Sequence, residues 1–208
     1  MPSIIETTLT KATIDIVNQF SKQVQSNLDW ILTSNSGLDL LSLGIYPNVK
    51  EISEASSTTR FLRKHYRSWT KYNDVLVVVV GDGTSPRVGA MLAFHTNWSI
   101  ISIDPLLRND FKWSSIKRLT LIRSKYEDVK ECSIDISNIK HVLYVFPHAH
   151  VNIDEALKVL QPVFGVAEGV VAMPCCQKQD IIDDIYPTLM YEDFGCLSSQ
   201  RIIKLWRM

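Results

Sequence analysis

The sequence predicts a three-layer α/β fold, a mostly parallel sheet with an antiparallel C-terminal strand, preceded by N-terminal helices. Three observations predict it. VLVVVV (Val75–Val80) is a continuous β-branched run that opens onto a glycine turn, the pattern of a parallel strand buried on both faces. Apolar strand-like runs then alternate with helical patterns as far as residue 174, which implies right-handed crossovers and a parallel sheet. The chain closes on two strand-like runs joined by a short loop, the signature of an antiparallel hairpin.

The 208 residues suit one domain, read as a helical N-terminal part (1–73) on a sheet core (74–208). Such a chain buries a sizeable core without disulfides or metals. Lys+Arg and Asp+Glu both number 22, so no global field draws the chain onto nucleic acid or an anionic membrane. Nucleic acid as a partner is not supported by the net charge. The local basic run RFLRKHYR (Arg60–Arg67) reads as a solvated helix face or as a phosphate contact. The four cysteines (Cys132, Cys175, Cys176 and Cys196) lack the spacing of a disulfide framework. With no basic leader and apolar run at the start, the expectation is a cytoplasmic, reducing setting without membrane attachment.

Taken in order, Thr7–Leu32 carries Ile14, Val17, Phe20, Val24, Leu28 and Ile31 at three- and four-residue spacing, one face of an amphipathic helix. Leu38–Leu43 is a helical turn before Gly44 and Pro47. Ser53–Thr70 is a second helix with Phe61, Leu62, His65, Tyr66 and Trp69 on its apolar side. These helices form a layer on the sheet or a lid over a binding site. After Val75–Val80 comes GDGTSPRVGAMLAFHT. There Thr84 or Ser85 can cap a helix with Pro86 in its first position. Further strands are expected at Trp98–Asp104, Lys117–Ser124, His141–Phe146 and Glu168–Pro174. A helix is expected at Asn152–Leu160 with Asn152 as its cap, and a short helix or turn at Gln177–Ile185. Thr188–Phe194 and Arg201–Trp206 form the closing hairpin around Gly195–Gln200.

The strand–GDG–helix junction carries the strongest local signal. A glycine turn lets backbone approach a ligand, and the next helix start offers N–H groups. Asp104 ends the following strand, where a carboxylate can accept from two ribose hydroxyls. This is a Rossmann-like, cofactor-binding arrangement. With the reversed last strand, it resembles the class I S-adenosylmethionine-dependent methyltransferases over residues 74–208. Dinucleotide reductases, the rival reading, lack that strand.

The resemblance implies S-adenosyl-L-methionine as cofactor and an unidentified methyl acceptor. It implies cofactor contacts at Gly81, Asp82, Gly83, Thr84 and Asp104, with Ser124 and Lys125 flanking the adenine; Trp113 is a further candidate neighbour of that ring. The acid that the family carries two positions before the first glycine is Val79 here, and FPHAH stands where amino-group methyltransferases carry an Asp–Pro–Pro–Tyr type motif. These two differences fit the alternative function, a catalytically inactive binding or assembly module.

FPHAH (Phe146–His150) and MPCC (Met173–Cys176) end the fourth and fifth strands, the edge where open α/β sheets bind ligands. His148 and His150 are the candidate catalytic bases, and Pro147, Cys175 and Cys176 the candidate acceptor-pocket lining. The two histidines and two cysteines also have the donor atoms for zinc, but adjacent cysteines chelate one ion poorly, so no metal is assigned. His65, His95 and His141 read as structural, and Cys132 and Cys196 as unpaired.

Overall fold

The computed structural model describes residues 27–131, 134–174, 179 and 181–208. Its elements are α1 (Gly37–Ser42), α2 (Val49–His65), β1 (Val75–Val80), α3 (Arg87–His95), β2 (Ser99–Ile103), α4 (Phe111–Ser114), β3 (Leu119–Ile122), β4 (His141–Pro147), α5 (Ile153–Phe164), β5 (Gly169–Met173), β6 (Leu189–Glu192) and β7 (Ile202–Arg207). Residues 27–32 are helical; the rest of the predicted Thr7–Leu32 helix lies outside the described residues.

The seven strands run in the order β3-β2-β1-β4-β5-β7-β6. β1 through β5 are mutually parallel. β7 inserts antiparallel beside β5, with Val171 opposite Leu205, and β6 covers its other edge. Ile203, Lys204, Leu205 and Trp206 are all buried, as a strand between two neighbours requires.

All six residues of β1 are buried, and their alternation assigns the layers. Val75, Val77 and Val79 pack with Leu40, Ala55, Leu62 and Met91 from α1, α2 and α3. Leu76, Val78 and Val80 pack with Ala156, Leu157, Leu160 and Phe164 of α5. Successive strand side chains point to opposite faces, so a strand apolar at every position needs a cover on both. Each buried valine-sized side chain contributes about 1.5–3 kcal/mol over its exposed form.

The N-terminal helices share the first apolar cluster with the sheet. α2 starts four residues before the expected Ser53, because the Asn48 side chain accepts from Glu51 N–H at 3.0 Å and so caps the helix. It ends at His65, where Tyr66 leaves helical geometry, and one 3₁₀ turn (Arg67–Trp69) follows. Its run from Ser53 to Thr59 is buried although mostly polar. Two of these hydroxyls tie the helix to the β6–β7 connection: Ser57 donates to Asp193 (2.5 Å), and Ser53 accepts from Leu197 N–H (3.0 Å).

One further segment differs from expectation: α4 has no counterpart in the sequence reading, and Asp110 caps it by accepting from Lys112 N–H. Within the expected helix or turn at Gln177–Ile185, residues 182–185 form a tight turn, with Asp183 and Asp184 at φ 46° and 62°. The basic run is partly used internally, since the Arg63 guanidinium lies 5.6 Å from the Trp30 ring. No helix among the described residues is long and apolar enough to cross a membrane.

Candidate functional site

The carboxyl ends of β1 to β4 border a cleft of about 890 Å³, within the range typical of small-molecule sites. Its floor is the turn after β1. Gly81 and Gly83 have φ of 77° and 89°, a region that glycine enters without steric cost. Gly81 also has no room for a side chain. A Cβ there would lie 2.7 Å from the Ala149 Cβ, so the loop carrying His148 and His150 rests directly on the turn.

Asp104 joins the ends of β1 and β2. One of its carboxylate oxygens accepts from Gly83 N–H at 2.9 Å and the other from Leu106 N–H at 2.7 Å. Both oxygens retain acceptor capacity toward the cleft that the residue lines.

Asp82 has a different task from the one expected. Its side chain turns back into the protein, where Oδ1 accepts from Val88 N–H (2.8 Å) and Oδ2 from Gly89 N–H (2.9 Å) and the Ser102 hydroxyl (2.9 Å). It therefore does what the sequence assigned to Thr84 or Ser85. Pro86 occupies the cap position of α3 without a side-chain bond, and the Ser85 hydroxyl is spent on Ile45 C=O. Burial pushes the Asp82 carboxyl up to about 6, against the pull of those three donors and of Arg87. The N–H groups that were expected to face a ligand are thus already taken by an internal carboxylate.

Gly81, Asp82, Gly83, Asp104, Ser124, Lys125, Pro147, His148 and His150 all border the cleft. Thr84 does not; the chain has turned away there, and its carbonyl accepts from Arg108 N–H. Trp113 is also elsewhere, buried with its indole N–H on Leu43 C=O at 3.0 Å. Cys132, Cys175 and Cys176 lie outside the described residues. Cys196 is a buried free thiol. His95 packs tilted against the Trp30 ring, and burial lowers its imidazole to about 4. His141 stacks on Trp69 and pairs with Glu168. Among the described residues no group of three or more His, Cys, Asp or Glu is placed to hold a metal.

Sequence reasoning missed the wall supplied by α2. Lys50, Glu51 and Glu54 line the cleft. Glu51 pairs with Arg87. The Glu54 carboxylate, 8% exposed, lies 3.1 Å from His148 Nε2 and 3.2 Å from Lys50 Nζ. Burial alone would raise the Glu54 carboxyl; the adjacent His148 and Lys50 outweigh it and hold the group at about 2. His148 itself sits at φ 55°, its N–H bonded to Met173 C=O at 2.9 Å. Ninety-four positions separate Glu54 from His148, and no local pattern links them. Ser198–Gln200 of the β6–β7 connection and Glu155 at the start of α5 also line the cleft.

No protein-family model matches the chain, and no curated protein matches it. Among solved structures, a point mutant of MtNAS in complex with S-adenosylmethionine superposes with a TM-score of 0.51 at 12% identity, over 91% of this chain and 73% of that one. An RNA methyltransferase from Salinibacter ruber in complex with S-adenosyl-L-homocysteine gives 0.42 at 14% identity, over 72% of this chain and 89% of that one. At 12% identity the likeness to the MtNAS structure is one of fold. With β7 reversed between β5 and β6 in a sheet whose other five strands run parallel in the order 3-2-1-4-5, this chain has the class I S-adenosylmethionine-dependent methyltransferase fold.

Proposed function

We propose that the chain binds S-adenosyl-L-methionine in this cleft and transfers its methyl group to an acceptor. The observation that carries the reading is the clasp of Asp104 on Gly83 N–H, which sets a carboxylate at the mouth of a side-chain-free glycine turn. Asp104 would hold the ribose hydroxyls, Gly81 and Gly83 would admit the amino-acid portion, and Ser124 and Lys125 would flank the adenine. The bound cofactor supplies an activated methyl on a sulfonium. The residues around it align the acceptor and exclude water.

Asp82 argues for this cofactor over a dinucleotide. A pyrophosphate binds at a helix N-terminus through free N–H groups. Here that position holds a carboxylate bonded to Val88 and Gly89, which would repel the phosphates. S-adenosylmethionine carries no phosphate. The MtNAS structure, in complex with S-adenosylmethionine, supports the same choice.

Isothermal titration with S-adenosylhomocysteine and, separately, NAD is the test. Saturable binding of the first and none of the second is expected; the absence of S-adenosylhomocysteine binding refutes the proposal. The second reading, an inactive binding or assembly module, draws on Val79. Where the family pattern carries an acid, this buried side chain offers only apolar surface. That reading predicts cofactor binding with no conversion of S-adenosylmethionine to S-adenosylhomocysteine when acceptor pools are supplied.

A further inference from the structure

We infer that the Glu51–Arg87 ion pair is the receptor for a zwitterionic amino-acid head. The guanidinium takes the α-carboxylate and Glu51 the α-ammonium, so the cleft selects nucleosides that carry such a head over those that do not. The inference rests on the cofactor reading above and assigns the residues that read one end of that ligand. Both side chains line the cleft, Arg87 24% and Glu51 16% exposed. Glu51 comes from the first turn of α2, outside the sheet core, and Arg87 is the first residue of α3.

The glycine turn leaves this task to a side chain. Gly81 N–H is spent on Ile103 C=O at 2.9 Å, Gly83 N–H on Asp104, and the Val88 and Gly89 N–H groups on Asp82. A carboxylate arriving at the turn meets the guanidinium instead. Arg87 Nη2 lies 2.7 Å from where a Gly83 Cβ would stand, so the missing side chain lets the cation lie over the turn. Nη1 donates to Glu51, and Nε lies 3.5 Å from the Ser85 hydroxyl. Among the described residues no acceptor engages Nη2. A guanidinium is a fork that serves acceptors side by side, so Nη2 can take a carboxylate while Nη1 keeps Glu51.

The acid has the same logic. Position 79 is a buried valine, so β1 brings no carboxylate to the turn, and α2 supplies one. Glu51 Oε2 accepts from Arg87, and among the described residues nothing donates to Oε1. An ammonium only donates. Lys50, the other cation of this wall, is held by Glu54 at 3.2 Å. Three further contacts dock residues 45–51 on the turn without these charges. The Tyr46 hydroxyl donates to Arg87 C=O (2.8 Å), the Ser85 hydroxyl to Ile45 C=O (2.7 Å), and the Asn48 side chain caps Glu51 N–H (3.0 Å). Neutralising either charge therefore leaves the cleft wall in place.

Isothermal titration on the full chain tests this with four ligands. They are S-adenosylhomocysteine, 5′-methylthioadenosine, which lacks the head, and two analogues of S-adenosylhomocysteine, one without the carboxylate and one without the amine. Arg87→Gln is expected to weaken S-adenosylhomocysteine about tenfold or more, and to change 5′-methylthioadenosine and the carboxylate-free analogue by less than about twofold. Arg87→Lys, which keeps the charge, is expected to retain part of the affinity. Glu51→Gln is expected to weaken S-adenosylhomocysteine and spare the amine-free analogue. Equal losses for S-adenosylhomocysteine and 5′-methylthioadenosine overturn the inference, because a pair that only fastens α2 to α3 serves every nucleoside alike. Unchanged affinity of the variants for S-adenosylhomocysteine overturns it too. So does a wild-type chain that binds S-adenosylhomocysteine no more tightly than 5′-methylthioadenosine, a comparison that needs no variant to fold. Failure of the wild-type chain to bind any of the four refutes the cofactor reading itself.

Discussion

Replacing Asp82 with asparagine isolates the cost of burying a charge at the helix start that borders the cleft. The carboxyl titrates at about 6 in the folded protein, against a usual 3.8, chiefly because burial disfavours its ionised form. The folded value stands above the unfolded one, so between these pH values the folded chain binds more protons than the unfolded chain. Stability from this group is therefore greatest below about pH 4 and declines as pH rises toward and past 6. Two pH units at 1.36 kcal/mol each make that decline roughly 3 kcal/mol.

Asparagine does not ionise, so the variant lacks this pH dependence. It also carries a constant penalty. Its one carbonyl oxygen serves either Val88 or Gly89 N–H, and its NH₂ faces the other donor, for about 1–3 kcal/mol. Urea unfolding of both proteins at pH 4, 5, 6 and 7 measures the difference, and other titrating groups cancel in it. The wild-type advantage is expected to shrink by roughly 2–2.5 kcal/mol from pH 4 to pH 7. A difference flat within about 0.5 kcal/mol, the size of an ordinary surface effect, or one that grows with pH, refutes the reasoning. Growth with pH would mean that the helix N–H groups hold the carboxylate ionised more strongly than burial opposes it.

Asp104→Ala is expected to weaken S-adenosylhomocysteine binding by about 1–3 kcal/mol, from hydrogen bonds lost to a charged acceptor; calorimetry measures it, and unchanged affinity removes Asp104 from the site. Gly81→Ala places a Cβ 2.7 Å from the Ala149 Cβ at a φ of 77°. It should lower the melting temperature and weaken the same ligand, and a variant with wild-type values in both would show that the loop is not packed on the turn. Trp206→Ala removes a wholly buried indole whose N–H donates to Ile185 C=O at 3.1 Å. A loss of about 3–5 kcal/mol in urea unfolding is expected, and a loss under 1 kcal/mol would contradict the placement of β7 inside the sheet.

Much of the fold was legible in the residues because periodicity reports burial directly. Val75–Val80 has no polar position, which only a strand covered on both sides tolerates. The apolar density of Arg201–Trp206 is likewise that of a strand with neighbours on both sides, and β7 lies between β5 and β6. Punctuation by Gly81, Gly83 and Asp104 marked where the cleft would open, because turn glycines and strand-end acids are local signals.

Other features had no local signature. The Ser53–Thr59 stretch is mostly polar, yet it is buried under the β6–β7 connection, more than a hundred residues later, which supplies partners for the Ser53 and Ser57 hydroxyls. Thr84 and Ser85 were the obvious caps by proximity to Pro86. Asp82 caps the helix instead, since the glycine turn folds its carboxylate back under Val88 and Gly89. The amino-acid sequence by itself determined the layers, the strand directions and the edge of the sheet where the cleft opens, because each follows from spacing along a few residues. Only the tertiary structure decided which side chains meet there. The Glu54–His148 pair and the Asp104–Gly83 clasp join residues that are distant in sequence or on separate strands, and such pairings are made by packing two elements together.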